Sequence, residues 1–224
     1  MPERILSLYA TYAYTDDHWA LHEEDRRVVR KHIVEAVAKI SPAGFLYQAF
    51  PTRSDSDFVV WTSWDGDGPE AADRALGLYN QEIGLLRQFI RPVQVLWGFT
   101  SPSMYSRGKS EQDMDPFAPE SRTKYLIIYP FSKTKDWYLM SMDARQGQMN
   151  EHIKLGKQYF DVKQLLLYSF GLQDQEFVVS YEAAELTRFS DLVRQLRSTE
   201  ARRHTELDTP IITGLYRTGE EFVG

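Results

Sequence analysis

The order of hydrophobic and polar positions predicts two similar halves. The predicted elements of the first half are a strand at 5–14, a helix at about 17–40, a hairpin at 45–50 and 57–64, a helix from about 69 to 89, and a strand at 93–99. Alternation at period two indicates the strands, and stripes at period 3.6 indicate the helices. This β-α-β-β-α-β order is typical of a ferredoxin-like unit.

The same pattern returns later in the chain with an offset of 119 or 120 residues. Residues 5–9 correspond to 125–129, and 31–33 correspond to 151–153. We therefore predict an α+β fold of tandem duplicated ferredoxin-like halves, whose bare sheet faces pack into a barrel-like core. The expected divisions are a first half at 1–100, a connector at 101–123 rich in proline and charge, and a second half at 124–224.

The second half carries the more informative side chains. Its first strand is predicted in the segment 125–133, and Pro130 is expected to end it. A helix with Ser141 as its N-cap should run to about Tyr159, and Gly156 leaves room one turn beyond His152. The following strand places Gln164 on the same face as three apolar side chains, which invites a functional interpretation.

Composition excludes several classes of protein. The 224-residue chain contains no cysteine, which rules out disulfides, thiolate-ligated haem and iron–sulfur clusters and agrees with a cytoplasmic location. A net charge of −6 without a basic stretch argues against a nucleic-acid partner. No long apolar run predicts a membrane span, and no segment resembles a signal peptide.

Five histidines limit any metal site, and two of them, His32 and His152, hold equivalent places in the two halves. The residues around His32 suit close packing, whereas those around His152 are polar and include Gly156. If one half holds a cofactor, the second half is the better candidate. The plain alternative is a satisfied or surface histidine.

Several blocks of the second half together resemble the chlorite dismutase family. They are Tyr129-Pro-Phe-Ser-Lys133, Trp137-Tyr138, Glu151-His152 with Gly156, Ser169-Phe-Gly171, Glu176-Phe177, Leu196 to Glu200 and Asp208-Thr-Pro210. The resemblance implies a dimeric α+β barrel, usually assembled as a homopentamer, with haem in the second half and His152 as the proximal iron ligand.

The resemblance also bears on the reaction. Chlorite dismutases carry an arginine where this chain has Gln164, so chlorite dismutation is not expected as the main activity. A glutamine resembles the coproheme decarboxylases, which use hydrogen peroxide to convert two propionates of iron coproporphyrin to vinyl groups. In that subgroup a tyrosine and a lysine four residues apart take part, and Tyr129 and Lys133 match them.

Other positions are expected to hold propionates. Arg197 and Tyr105 match family positions of that kind, and Arg107 and Arg122 are further candidates. The chain departs from the family at Arg202, where a hydroxyl is usual, which puts the propionate contacts in doubt.

Three hypotheses follow. The first is a peroxide-dependent coproheme decarboxylase, with porphyrin and hydrogen peroxide as partners. The second is a haem-binding protein or weak peroxidase of the same fold. The third is a structural or binding barrel without haem, in which His152 is a packing residue. Separately, Trp137 and Tyr138 are expected in the core. The plain alternative for Tyr129 and Lys133 is that Tyr129 merely ends a strand and Lys133 is a solvated loop charge.

Overall fold

A computed structural model describes residues 3–106, 108 and 110–224, so Arg107 lies outside the described residues. The strands in this part of the chain are β1 (Ile5–Tyr14), β2 (Ala43–Gln48), β3 (Phe58–Asp65), β4 (Ile90–Phe99), β5 (Tyr125–Lys133), β6 (Lys163–Tyr168), β7 (Phe177–Ala183), β8 (Thr205–Leu207) and β9 (Ile212–Arg217). The helices are α1 (Asp16–Trp19), α2 (Glu23–Ile40), α3 (Ala71–Gly84), α4 (Lys135–Leu139), α5 (Met142–Gly156), α6 (Leu186–Leu196) and α7 (Gly219–Val223). Short 3-10 helices lie at Pro119–Ser121, Lys157–Tyr159 and Glu200–His204.

The α+β class and the duplicated β-α-β-β-α-β order are confirmed. The first unit is β1-α2-β2-β3-α3-β4 and the second is β5-α5-β6-β7-α6-β9, with α1, α4, β8 and α7 as additions. All strand pairs with printed registers are antiparallel, as expected for ferredoxin-like units.

Strand pairing runs in a ring through both halves. The order is β7-β6-β4-β1-β3-β2-β9-β5, and β5 also pairs with β7, so the last strand returns to the first. Two seams join the halves: β2 pairs with β9, and β4 meets β6 at Phe99 and Tyr168. The sheet therefore has an inner face shared by both halves and an outer face covered by each half's own helices.

Three hydrophobic clusters correspond to these faces. The inner cluster draws on strands of both halves, for example Trp61, Leu126 and Leu167. The outer cluster of the first half lies under α2 and α3, and the outer cluster of the second half lies under α6 and part of α5. Burial of these faces from water supplies the main stabilisation of both layers.

The predicted helix at 17–40 is wrong at its start, because the structure divides it into α1 and α2. His18 is fully buried and stacks on Tyr14 of β1, with ring centroids 3.9 Å apart. The chain turns after Trp19 to allow this contact, and α2 begins with three acidic residues that complement its dipole. The next predicted helix also ends early, at Gly84 rather than 89.

Strand β5 continues through Pro130, contrary to the prediction that it stops there. Pro130 pairs in register with Val178 of β7. Strand β9 pairs with β5 only as far as Ile128. On the β9 side of Pro130 there are therefore no strand-to-strand hydrogen bonds that the missing N–H of the proline would break. The strand therefore reaches Lys133.

Arg122 lies inside the ring and does not reach a propionate site, so that suggestion is corrected. Its side chain is 1% exposed and forms an ion pair with Glu182 of β7 at 3.5 Å. The guanidinium lies 4.7 Å from the Trp61 ring centroid and 4.8 Å from that of Phe45. Burial raises the pKa of the Glu182 carboxyl to about 7, and Arg122 offsets only part of this effect.

Among the described residues, no helix has both the length and the apolar character needed to cross a bilayer.

The buried carboxyl of Glu182 predicts a pH-dependent stability. The unfolded chain ionises Glu182 near its ordinary pKa and the folded chain near pH 7, so stability falls as the pH rises through this window. Wild type should lose this stability as the pH rises and Glu182→Gln should not. The difference in free energy of unfolding should therefore shift by about 2–3 kcal/mol in favour of the variant when the pH is raised from about 5 to about 8.

Urea unfolding at the two pH values measures this difference. Glu120→Gln, at an exposed carboxylate of the connector, is the matched control and should show no such change. A pH-independent difference for Glu182→Gln would contradict the assigned cause.

Candidate functional site

The outer face of β5, β7 and β6 forms the floor of the candidate site. Strand registers align its side chains in three rows, which are Ile127-Tyr181-Gln164, Tyr129-Val179-Leu166 and Phe131-Phe177-Tyr168. Tyr129 therefore lies in the middle row, Gln164 at one end, and Phe131 beside Lys133 at the other. The aromatic end is well packed, with Phe131 and Phe177 stacked at 4.6 Å between centroids.

Helix α5 crosses this face without packing tightly on it. Its N-terminus is capped as predicted, because the Ser141 hydroxyl accepts a hydrogen bond from the Ala144 N–H at 3.3 Å. None of its residues is fully buried, and its main neighbours are α6 and the 3-10 helix Glu200–His204. A Cβ added at Gly156 would meet only open space, so the room expected beside His152 is present.

His152 has the environment of a neutral nitrogen ligand. Its Nδ1 is buried and has no hydrogen-bond partner among the described residues. Burial, assisted by the charge of Lys133, lowers the pKa of His152 to about 4, so the imidazole keeps a lone pair free at neutral pH. Neighbouring Glu151 points elsewhere, as predicted, and accepts a hydrogen bond from the Glu200 N–H at 3.3 Å.

Lys133 is held at the end of β5. Its backbone N–H donates to Glu176 Oε2 at 2.7 Å, and its Nζ donates to the Ala201 carbonyl at 3.4 Å. The ammonium also lies 4.5 Å from the ring centroid of Trp137. Burial, with the charge of Arg202 added, lowers the pKa of Lys133 to about 8. Lys133 is therefore not a freely solvated charge.

Tyr129 lies close to Tyr181 and to a pair of charged residues. The rings of Tyr129 and Tyr181 stack with centroids 6.0 Å apart. Burial raises the pKa of the Tyr129 phenol well above its usual value; Tyr181 and Asp208 add to the rise and Arg197 opposes it. The phenol therefore stays protonated, so its oxidation removes a proton as well as an electron.

Arg197 is near this cluster but already has a partner. Its Nη2 donates to Asp208 Oδ2 at 3.1 Å, and Arg202 donates to the same oxygen at 2.6 Å. The side chains of Arg197 and Arg202 are 46% and 33% exposed, so both can reach solvent or a ligand.

Tyr105 lies on the rim, in the connector. Its ring centroid is 6.2 Å from that of Trp137, and its carbonyl accepts a hydrogen bond from Gln146 of α5 at 3.1 Å. Tyr105 also lines a cavity of about 420 Å³ whose other walls include Ile153 and Lys157. His152 does not line that cavity, which lies along a different face of α5.

Gln164 is exposed and forms a β-bridge with Asp113 of the connector. Its backbone bonds to the connector, donating to the Gln112 carbonyl at 2.7 Å and accepting from the Met114 N–H at 2.9 Å. Its register partner is Tyr181, which links it to Tyr129 through one ring. A role for Gln164 beside an iron remains a prediction.

Sequence reasoning gave no role to two acidic residues of the candidate site, Glu176 and Asp208. Glu176 holds the Lys133 backbone and accepts a hydrogen bond from the Tyr138 hydroxyl, and Asp208 joins Arg197 to Arg202. Tyr138 was expected in the core but is 39% exposed, while Trp137 is buried as expected. Both acids appeared in the quoted blocks, but no local spacing indicated their partners, which are distant along the chain.

The comparisons with known proteins bear on the whole chain. The profile of the chlorite dismutase family matches residues 19–217. The chain belongs to the chlorite dismutase family.

Two curated relatives of this family member are named coproheme decarboxylase. The protein from Mycolicibacterium smegmatis is 32% identical over 169 residues, covering 75% of this chain and 71% of the relative. The protein from Staphylococcus saprophyticus is 28% identical over 166 residues, covering 66% and 64%.

Solved structures of the chlorite dismutase family share the fold. The chlorite dismutase of Candidatus Nitrospira defluvii in complex with imidazole is 22% identical, with a TM-score of 0.80 over 98% of this chain and 93% of that chain. A mutant of the same enzyme is 23% identical, with a TM-score of 0.82 over 98% and 94%. At this identity the likeness establishes the architecture alone.

Within this chlorite dismutase family member, His152 predicts a clear binding phenotype. His152→Ala should abolish the Soret band of the haem complex or shift it to that of a complex without an imidazole ligand, because the candidate donor is removed. Absorption titration with iron porphyrin measures the effect. His32→Ala, the exposed equivalent in the first half, is the control and should bind like wild type.

An unaltered band for His152→Ala would remove this histidine as a ligand and favour the hypothesis of a packing residue.

Proposed function

We propose that the chain is a coproheme decarboxylase that converts iron coproporphyrin to haem b with hydrogen peroxide. Each propionate, together with one peroxide and one proton, becomes a vinyl group, one carbon dioxide and two waters. The proposal goes beyond family membership, which by itself is compatible with several haem activities. Support comes from the relatives named coproheme decarboxylase and from the arrangement of the site.

One observation carries the proposal: Tyr129 and Lys133 lie on the floor over which α5 presents His152. The charge of Lys133 acts on His152, and the charges of Arg197 and Asp208 act on Tyr129. A redox-active phenol, an ammonium, a guanidinium and an imidazole in this region provide what an oxidative decarboxylation of a carboxylate needs.

Haem fits the residues around His152. The buried Nδ1 of His152 has no hydrogen-bond partner in the part of the chain that the structure describes, and the open space at Gly156 suits a flat group. Bound haem would supply the reaction with peroxide and the oxidising power. His152 would hold the iron, and Arg197 and Tyr105 are proposed to hold propionates from two sides.

Tyr129 is the proposed route for the electron that leaves the substrate. Its phenol is protonated at neutral pH because burial raises its pKa, so oxidation requires release of the proton as well. The stacked Tyr181 carries a hydroxyl that can share that proton. The oxidised phenol would then remove a hydrogen atom from the propionate chain and become a phenol again. The second electron would pass to the bound haem, so that carbon dioxide leaves as the vinyl group forms.

Lys133 is the proposed partner of the reacting carboxylate. Glu176 and the Ala201 carbonyl anchor its backbone and ammonium, which restricts the positions that Nζ can reach. With a pKa of about 8, the ammonium can bind a carboxylate near neutral pH and exchange a proton without a large cost. Gln164 is proposed to supply a neutral amide to the bound haem and peroxide.

A second candidate is a haem-binding protein or weak peroxidase without decarboxylase activity. The contact between Arg197 and Asp208 favours it, because that guanidinium already has a carboxylate partner. Chlorite dismutation is the weaker alternative, since Gln164 offers no cationic donor for a chlorine oxyanion.

We further propose a cytoplasmic homopentamer with haem in the second half. Analytical ultracentrifugation of the loaded protein would test the number of subunits.

Tyr129→Phe is expected to bind iron coproporphyrin normally but to lose at least about 99% of peroxide-dependent decarboxylation, since the ring remains and the redox-active hydroxyl is gone. The assay is stepwise addition of peroxide followed by chromatography of the extracted porphyrins. Tyr125→Phe, on the same face of β5 and four residues away, is the control and should convert both propionates.

Wild-type protein that binds iron coproporphyrin but returns it unaltered would reject the decarboxylase proposal in favour of the second candidate. Equal conversion by Tyr129→Phe and wild type would reject the role of Tyr129 alone.

The pKa of Lys133 predicts an alkaline limb in the rate profile. Lys133 is an ammonium below its pKa, so kcat/KM should fall about tenfold per pH unit above about pH 8 as the charge is lost. Lys133→Gln should be slow at neutral pH and lack this limb. Lys135→Gln, at an exposed neighbour, should keep the wild-type profile, and a Lys133→Gln variant that retains the limb would assign it to another group.

A further inference from the structure

Two guanidinium groups share a single carboxylate oxygen at the edge of the site. Arg202 and Arg197 both donate to Asp208 Oδ2, at 2.6 and 3.1 Å. A carboxylate can accept a bidentate bond from one arginine. Here one oxygen accepts from both arginines, so neither guanidinium forms a bidentate pair with Asp208.

Lys133 belongs to the same positive region. Its Nζ donates to the carbonyl of Ala201, the residue before Arg202, and the charge of Arg202 helps to lower its pKa. Of the two acids nearby, Glu176 is already engaged by the Lys133 N–H and the Tyr138 hydroxyl. Three cations therefore lie with two acids in this region, and Asp208 serves both guanidiniums.

This excess of positive charge lies where the proposed chemistry takes place. Tyr129 experiences the charges of Asp208 and Arg197, and Lys133 experiences that of Arg202. Arg202 is one third exposed, so a ligand can reach its guanidinium. A carboxylate bound between Arg202 and Lys133 would lie beside Asp208, whose charge acts on the phenol of Tyr129.

Resting on the proposed function, we infer that Arg202 is a specificity-determining residue that holds one of the two propionates that the reaction removes. Asp208 is then the internal carboxylate to which Arg202 returns when the propionate has left as carbon dioxide. Haem b lacks this carboxylate, so Arg202 contributes to binding of the substrate and not of the product. The site thus discriminates in favour of iron coproporphyrin and releases haem b.

The test compares the affinities of two porphyrins without peroxide, so that it does not depend on turnover. Wild type, Arg202→Ser and Arg203→Ser are titrated with iron coproporphyrin and with haem b, following the Soret band. Arg202→Ser should weaken iron coproporphyrin binding about tenfold, the effect of one charge-assisted contact, and change haem b binding less than about twofold. The loss should shrink at high salt.

Arg203→Ser removes the same charge from the adjacent residue, which is exposed and paired with Glu200 at 3.3 Å. It should leave both affinities unchanged. Arg202→Lys keeps a charge without the fork and should recover part of the preference for iron coproporphyrin. Thermal unfolding of each variant checks that the fold is retained.

Equal weakening of both porphyrins by Arg202→Ser would mean a general structural or electrostatic role and overturn the inference. Unchanged binding of iron coproporphyrin would overturn it too. Either result leaves the proposed function standing if wild type still decarboxylates. Wild type that binds neither porphyrin would remove the proposed function and this inference together.

Discussion

The register between β5 and β7 is the constraint on which the site depends. It puts Tyr129 opposite Val179 on the outer face and brings β5 out to Lys133 despite Pro130. A slip of one residue would turn Tyr129 inward and expose the inner core residues Leu126 and Ile128 to the outer side. The closed ring of pairings opposes such a slip, because β5 is held by β7 on one edge and by β9 on the other. Fold stability and the position of the phenol therefore depend on the same hydrogen bonds.

The charged residues inside the ring of strands differ from those on the outer face in whether they have a charged partner. Inside the ring, Arg122 and Glu182 are buried together, and aromatic rings cover the guanidinium. On the outer face, Lys133 and His152 are half-buried without a countercharge of comparable strength, and this burial lowers both pKa values, which favours the neutral forms. Such an arrangement costs stability, and it is found where a ligand is expected to supply the missing partner. The inner pair needs no ligand, which explains why Arg122 has no place in the candidate site.

Sequence patterns predicted what is periodic or repeated and missed what depends on tertiary contact. The duplication, the Ser141 cap, the buried Trp137 and the room at Gly156 all follow from local spacing. The break between α1 and α2 does not, because it reflects the stacking of His18 on Tyr14. The site shows the same division. Tyr129, Lys133 and His152 were predicted as site residues from motif order, whereas the bond between Arg202 and Asp208 arises only when a 3-10 helix and the end of β8 meet beside β5.

The duplication also shows how one half can acquire a site without endangering the fold. Helix α2 of the first half buries five residues, while its counterpart α5 buries none. His32 is exposed on a helix that packs tightly, and His152 faces inward on a helix that does not. Because α5 packs loosely, apolar surface is left open beneath it. A porphyrin ring would cover this surface, and the free energy of burying it would stabilise the bound state. The first half, with its complete helix layer, can hold the ring of strands together while the second half would bind and release the proposed ligand.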